Sequence, residues 1–70
     1  MTQTTIKFTV RAERDGRFWL LTFPDLGGNH ASQALNLDEI EAVARDYISL
    51  TLDLDFVDVV IGKIVVELNR

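Results

Sequence analysis

Two polar side chains near the middle of the chain are the ones whose chemistry could support catalysis. His30 is the only histidine and follows a glycine pair, where a general base could be held. Asp25 follows Pro24, and with Asp38 or Glu39 it could form the carboxylate pair that acid–base or magnesium chemistry needs. No side chain is marked as a nucleophile for His30, and the sequence has no cysteine.

Each of these residues also has a structural interpretation. A single histidine is more often a core or surface side chain than a catalytic base. An aspartate beside a proline commonly accepts hydrogen bonds from backbone amides. Gly27-Gly28 is not followed by the lysine of a phosphate-binding loop. The sequence therefore predicts no catalytic residue, no metal site and no cofactor, and we expect the protein not to be an enzyme.

Composition limits the class of protein further. With 70 residues, 47% of them hydrophobic, the chain is predicted to form one domain over residues 1–70. A domain of this size buries only about 60% of the surface of its unfolded chain, so we expect oligomerisation to add stability. The net charge of -4 argues against binding that neutralises nucleic-acid phosphates. No apolar segment approaches the roughly 20 residues of a membrane-spanning helix, and no secretory signal is recognisable, so we expect a cytoplasmic protein that is not in a membrane.

An antiparallel hairpin is the element on which the rest of the chain is predicted to be built. Two alternating segments flank Asp15-Gly16, a pair that suits a two-residue hairpin turn. With that turn, Ala12 faces Trp19 across the two strands. Strict alternation then places seven apolar side chains on one face, which is the predicted core face: Ile6, Phe8, Val10, Ala12, Trp19, Leu21 and Phe23.

The remaining elements complete a small α+β fold. A short third strand is predicted at residues 30–33, a helix from Leu37 to about Leu52, and a long strand from Phe56 to Leu68. Asn36 and Glu39 have the spacing of a helix-starting capping box. The apolar stripe of the helix is predicted to cover the hairpin, with its polar side in water (Glu41, Arg45, Asp46 and Ser49). A right-handed crossover puts the last strand parallel to the first, which gives a two-layer β-β-β-α-β arrangement with three antiparallel strands, one helix and a fourth strand.

Apolar side chains are left over once this core is formed. Phe18 and Leu20 fall on the outer face of the hairpin, and the last strand is apolar on both faces. Because a two-layer domain buries only one face of a strand, we expect a homodimer or homotetramer. Scattered surface apolar residues are the alternative for the hairpin. The predicted oligomer interface consists of Phe18, Leu20, Val57, Val59 and Ile61.

Charge is divided between the two halves of the chain. Residues 37–58 carry seven carboxylates and one cation, whereas Lys7, Arg11, Arg14 and Arg17 lie on the hairpin. The second half is therefore predicted to form an acidic surface suited to a basic partner. The alternative is a solvated face that keeps the protein soluble.

Several short motifs together resemble the HicB antitoxin family. They are Glu13-Arg14-Asp15-Gly16, Phe18-Trp19, Pro24-Asp25-Leu26-Gly27-Gly28 and Leu37-Asp38-Glu39. Gly27 stands where the family usually has a second proline. The resemblance covers nearly the whole chain and implies a truncated ribonuclease H-like fold without nuclease activity.

The resemblance also implies a function. HicB antitoxins bind and mask a small basic ribonuclease toxin of the HicA type. The resemblance includes no C-terminal DNA-binding segment of the kind that full-length family members carry, so we expect no direct contact with nucleic acid. Together with the charge asymmetry, it puts the partner-binding residues on the exposed side of the helix (Asp38, Glu41, Arg45 and Asp46). The alternative is an orphan phage or prophage HicB-like accessory protein, oligomeric, that binds a host regulator.

Overall fold

A computed structural model describes residues 6–67 and shows an α+β fold with one α-helix and a mixed four-stranded sheet. The elements are β1 (Ile6–Asp15), β2 (Phe18–Thr22), β3 (Ala31–Ala34), α1 (Ile40–Leu52) and β4 (Val59–Glu67). The strand order is β3-β2-β1-β4; β1 is antiparallel to β2, β2 is antiparallel to β3, and β4 is parallel to β1. This confirms the predicted arrangement of three antiparallel strands, a helix and a fourth strand.

The hairpin turn differs from the predicted one by one position. Asp15 pairs with Phe18, so the two-residue loop is Gly16-Arg17, with Gly16 at φ 64°. A positive φ at the first central residue is what a type II′ turn requires. Ala12 consequently faces Leu21, not Trp19. Because the whole strand slips by two residues, and side chains alternate with a period of two, the predicted core face is preserved.

The core lies between one face of the sheet and α1. Six of the seven predicted hairpin residues are buried: Phe8, Val10, Ala12, Trp19, Leu21 and Phe23. Ile6 is 37% exposed, so its assignment to the core was wrong. The other elements contribute Ala34, Ile40, Ala44, Ile48 and Val59.

The helix begins differently from the predicted capping box. Residues 37–39 form a 3-10 turn, and α1 starts at Ile40. The Asn36 side chain caps no amide; instead its Nδ2 donates to the Glu39 carboxylate at 3.3 Å, which also accepts the Leu35 backbone N–H at 3.3 Å. Glu39 thus reaches back as predicted, although to the amide before Asn36. No helix within residues 6–67 is long and apolar enough to cross a membrane.

Some helix positions were assigned to the wrong side, including Leu37 and Thr51, which were expected in the apolar stripe but are exposed. Ser49 was expected in water, yet it is only 8% exposed, and its hydroxyl donates to the Asp46 carbonyl at 2.9 Å. That local hydrogen bond satisfies the hydroxyl and permits burial. Leu37, by contrast, is 52% exposed because it lies in the 3-10 turn and not in α1.

A β-bulge changes the faces of β4. β4 is preceded by a 3-10 turn at Phe56–Asp58, so it begins later than predicted, and its predicted end at Leu68 lies outside the described residues. Phe8 pairs with Ile61 but Thr9 pairs with Lys63, which leaves Gly62 as the extra residue. Strict alternation predicts Val65 on the same face as Val59 and Ile61, and Ile64 and Val66 on the other face; beyond Gly62 this prediction is wrong. The core face carries Val59, Ile61, Ile64 and Val66, and the outer face carries Val60, Lys63, Val65 and Glu67.

The helix ends at Leu52, as predicted, and the residue that terminates it, Asp53, is of a type seldom found at this position. Asp53 has φ 57° and ψ 48°, the left-handed conformation that glycine usually supplies at a helix end. Its N–H and that of Leu54 both donate to the Ser49 carbonyl, the latter at 2.9 Å. Asp53 therefore carries a steric cost that glycine would avoid.

We expect Asp53→Gly to raise the free energy of unfolding by about 0.5–1 kcal/mol, because glycine adopts this conformation without strain. Urea denaturation measures the change. The matched control is Asp55→Gly, at φ −66°, which should lower the free energy of unfolding because glycine there only adds freedom to the unfolded chain. Equal destabilisation by both substitutions would contradict the strain at Asp53.

Candidate protein-binding surface

Asp25 completes the hydrogen bonding of β1. The ladder between β1 and β2 begins at Arg11 and Thr22, and beyond it the Thr9 backbone N–H donates to the Asp25 carboxylate at 2.8 Å. The 3-10 turn Pro24–Leu26 holds Asp25 beside the strand. A carboxylate thus takes the place of a strand carbonyl, and Asp25 acts as a structural acceptor here.

His30 lies in a half-buried aromatic group. Its Nδ1 is 3.1 Å from the Tyr47 hydroxyl, and Tyr47 stacks on Phe23 with ring centroids 4.8 Å apart. These contacts join the loop before β3 to α1 and to the end of β2. His30 also borders an open depression of about 370 Å³, whose other lining residues are Arg11, Thr22, Phe23, Pro24, Gly27 and Gly28. That lining includes no carboxylate, serine or cysteine that could act with His30.

Metal-binding residues are likewise dispersed. Within the part of the chain that the structure describes, no group of three or more histidine, cysteine, aspartate or glutamate side chains converges on one point. The carboxylates of residues 37–58 are spread along the helix and the turns that flank it.

These carboxylates form the principal charged surface, here called the acidic layer. Its exposed members are Asp38, Glu39, Glu41, Asp46, Asp53 and Asp55, and Asp58 is half-buried. The sheet lies on the other side of the core, and its outer face carries the cations Lys7, Arg11 and Lys63 together with Glu13 and Glu67. The excess of negative charge is therefore on the helix side.

Arg45 is the one cation within residues 37–58, and it is engaged inside the protein. Its Nε donates to the Val59 carbonyl at 2.8 Å and its Nη2 donates to the Phe56 carbonyl at 3.0 Å. The guanidinium also lies 4.2 Å from the centre of the Phe56 ring. Arg45 thus fixes the start of β4 against α1. Of the predicted partner-binding residues, Asp38, Glu41 and Asp46 are exposed, whereas Arg45 is half-buried in this structural role.

Leu50 was not among the predicted binding residues, yet it is 75% exposed. It follows Asp46 by four residues, so the two side chains are neighbours on the solvent side of α1. The sequence signal was present: Leu50 lies outside the apolar stripe that faces the core. An exposed leucine beside carboxylates can act as an apolar anchor with a charged rim.

The structure does not bring the five predicted oligomer-interface residues together. Phe18 is 40% exposed and lies beside half-buried Leu20 on the outer face of the sheet. Val57 is 75% exposed in the turn before β4. Val59 is fully buried in the core of the monomer, and Ile61 packs against that core. Val59 is therefore inaccessible to a second chain.

We expect Asp25→Ala to lower the free energy of unfolding by about 1–2 kcal/mol, because the Thr9 amide loses its acceptor. Asp25→Asn keeps a side-chain oxygen at this point and should cost less than half as much. Thermal or urea unfolding of the two variants measures the difference. If alanine and asparagine were equally tolerated, the hydrogen bond to Thr9 would not contribute to stability.

Arg45→Lys should lower the free energy of unfolding by about 1–2 kcal/mol, since one ammonium group cannot replace both guanidinium hydrogen bonds and the ring contact. Arg17→Lys, at an exposed hairpin position, is the matched control and should change stability by no more than about 0.5 kcal/mol. Urea denaturation followed by the circular dichroism of the helix measures both. A variant at Arg45 as stable as the control would refute its structural role.

Comparison with protein-family models, with curated proteins and with solved structures found no match. The resemblance of the short motifs to HicB antitoxins therefore remains a prediction. What the chain does has to be inferred from its own surface, which is most distinctive in the acidic layer and the adjoining Leu50.

Proposed function

We propose that this protein is a non-catalytic binding domain of the HicB-like type, which binds and masks a small basic ribonuclease toxin of the HicA type. The observation that carries the proposal is the acidic layer. Six of its seven carboxylates are exposed, and the only cation of residues 37–58, Arg45, donates its hydrogen bonds to backbone carbonyls. The layer therefore presents an excess of negative charge to a partner.

Charge of this kind suits a partner whose own surface is basic. Complementary potentials accelerate the encounter of two proteins and select against partners of the wrong sign. Within the described residues, Asp38, Glu41 and Asp46 take part in no ion pair with the rest of the chain. Their charges are free to meet cations of a partner, and a toxin that must bind RNA phosphates needs such cations.

On this proposal the protein inhibits the toxin by covering its surface, and it needs no catalytic step of its own. The acidic layer would occupy the basic surface with which the toxin holds RNA, and Leu50 would supply apolar contact within the charged rim. His30 and Asp25 support this interpretation, because both are used in structural contacts. On this proposal the protein is not an enzyme, needs no cofactor and makes no direct contact with nucleic acid.

The fold is compatible with the family that the motifs resemble. One helix lies against a sheet with the order β3-β2-β1-β4, in which only β4 is parallel to its neighbour. We infer that this arrangement is the truncated ribonuclease H-like fold of HicB antitoxins. Within residues 6–67 no helix lies on the outer face of the sheet, which supports the description as truncated.

The binding partner can be identified by affinity capture from the native host with the whole chain, followed by mass spectrometry and a ribonuclease assay. We expect a small basic ribonuclease whose activity falls when the chain is added. Glu41→Gln combined with Asp46→Asn should weaken the purified complex about tenfold or more, and added salt should weaken the complex of the unmodified chain.

Asp15→Asn is the control, because it removes an exposed carboxylate from the hairpin end and should leave the affinity unchanged. Failure of the folded chain to capture any small basic protein would contradict the proposal. Capture of a host regulator without ribonuclease activity would instead favour the accessory-protein alternative.

A further inference from the structure

β4 forms an edge of the sheet, and its second half is apolar and exposed. The strand order places β4 beside β1 alone. Ile64 and Val66 lie on the core face, next to Val10 and Ala12, yet they are 38% and 42% exposed. A long edge strand with exposed apolar side chains is a template for pairing with another strand.

The charges on this half-strand are arranged symmetrically. Lys63 and Glu67 both lie on the outer face, two residues before and two residues after Val65. If two copies of β4 pair antiparallel about a two-fold axis at Val65, Lys63 of each copy lies opposite Glu67 of the other. The same pairing puts Ile64 opposite Val66 on the core face. Opposite charges and apolar pairs directly across two strands stabilise a sheet.

Other registers of the same two strands lose this complementarity. Partners across an antiparallel pair must lie on the same face, so the axis can pass only through a residue. An axis at Lys63 or at Glu67 would place like charges opposite each other. An axis at Ile64 or Val66 would place one charged residue opposite Val65. The axis at Val65 is the one that pairs every charge between residues 63 and 67 with its opposite.

We propose that two copies of this chain join along the β4 edges, over residues 63–67, in an antiparallel two-fold dimer centred on Val65. The two sheets then continue into one another, with β4 of each copy at the centre. Such an interface is self-complementary, as a two-fold dimer requires. It also covers Ile64 and Val66 and removes the open edge.

Neighbouring residues define the limits of this contact. The bulge at Gly62 ends the regular part of β4 on one side, which confines the pairing to the segment after it. Within the monomer, Glu67 already forms an ion pair with Arg11. In the dimer, the Glu67 carboxylate would therefore lie between Arg11 and Lys63 of the second copy, in a three-residue charge network. This proposal is independent of the proposed function, because it concerns a sheet edge and not the acidic layer.

Charge reversal tests the register, with sedimentation equilibrium of the whole chain as the measurement. Lys63→Glu puts like charges opposite each other at two symmetric places and should weaken dimerisation about tenfold or more. Combining it with Glu67→Lys exchanges the two charges and should restore the dimer. Lys7→Glu is the matched control: it is an exposed outer-face cation on β1, away from the edge, and should leave the dimer unchanged.

A disulfide crosslink tests the position of the two-fold axis, even if the Glu67 substitution prevents folding. The chain has no cysteine, so Val65→Cys introduces a single thiol, opposite its own copy at a Cα separation of about 4.5–5.5 Å that a disulfide can span. Mild oxidation should give a covalent dimer, whereas Val60→Cys, on the same face of β4 but before the bulge, should not. A monomer at all concentrations, a dimer indifferent to Lys63→Glu, or equal crosslinking at both positions would overturn the proposal.

Discussion

One-sided burial of the hairpin is the constraint on which the rest of this structure depends. Alternating apolar side chains of β1 and β2 form one face of the hairpin, and α1, the one α-helix of residues 6–67, covers that face. Each large apolar side chain buried there contributes about 1.5–3 kcal/mol relative to an exposed one. The helix is therefore held by its apolar stripe, and its other side is left to water. Its polar sequence determines what that exposed side can bind.

The one cation among the carboxylates of that exposed side, Arg45, is engaged with the backbone. Its guanidinium donates to the carbonyls of Phe56 and Val59, which closes the connection between α1 and β4. The side chain keeps its charge in this contact, and the seven carboxylates of residues 37–58 outnumber it. Asp25 makes a comparable contribution in the hairpin, where a carboxylate is used as a backbone acceptor.

Much of this architecture could be predicted from alternation and helical periodicity, because both properties depend on residue spacing alone. The predicted core face of the hairpin was correct although the predicted turn was wrong, because a slip of two residues leaves every side chain on its own face. The bulge at Gly62 was missed, although a glycine inside a strand pattern often marks one. The role of Arg45 was also missed: periodicity places its Cα near the polar side of the helix, but its long side chain reaches the start of β4. The acidic surface was visible in the charge distribution, and the exposure of Leu50 could have been inferred from its position outside the apolar stripe of the helix.

The single tryptophan of the chain offers the most direct measurement of this account. Trp19 is 5% exposed, on the hairpin face that α1 helps to cover. If that shared core is what holds the protein together, Trp19 is shielded from acrylamide in the native state. The urea transition seen by its fluorescence then coincides with the loss of helix seen by circular dichroism. An accessible Trp19, or a helix that unfolds at lower urea while the tryptophan signal stays native, would contradict the account.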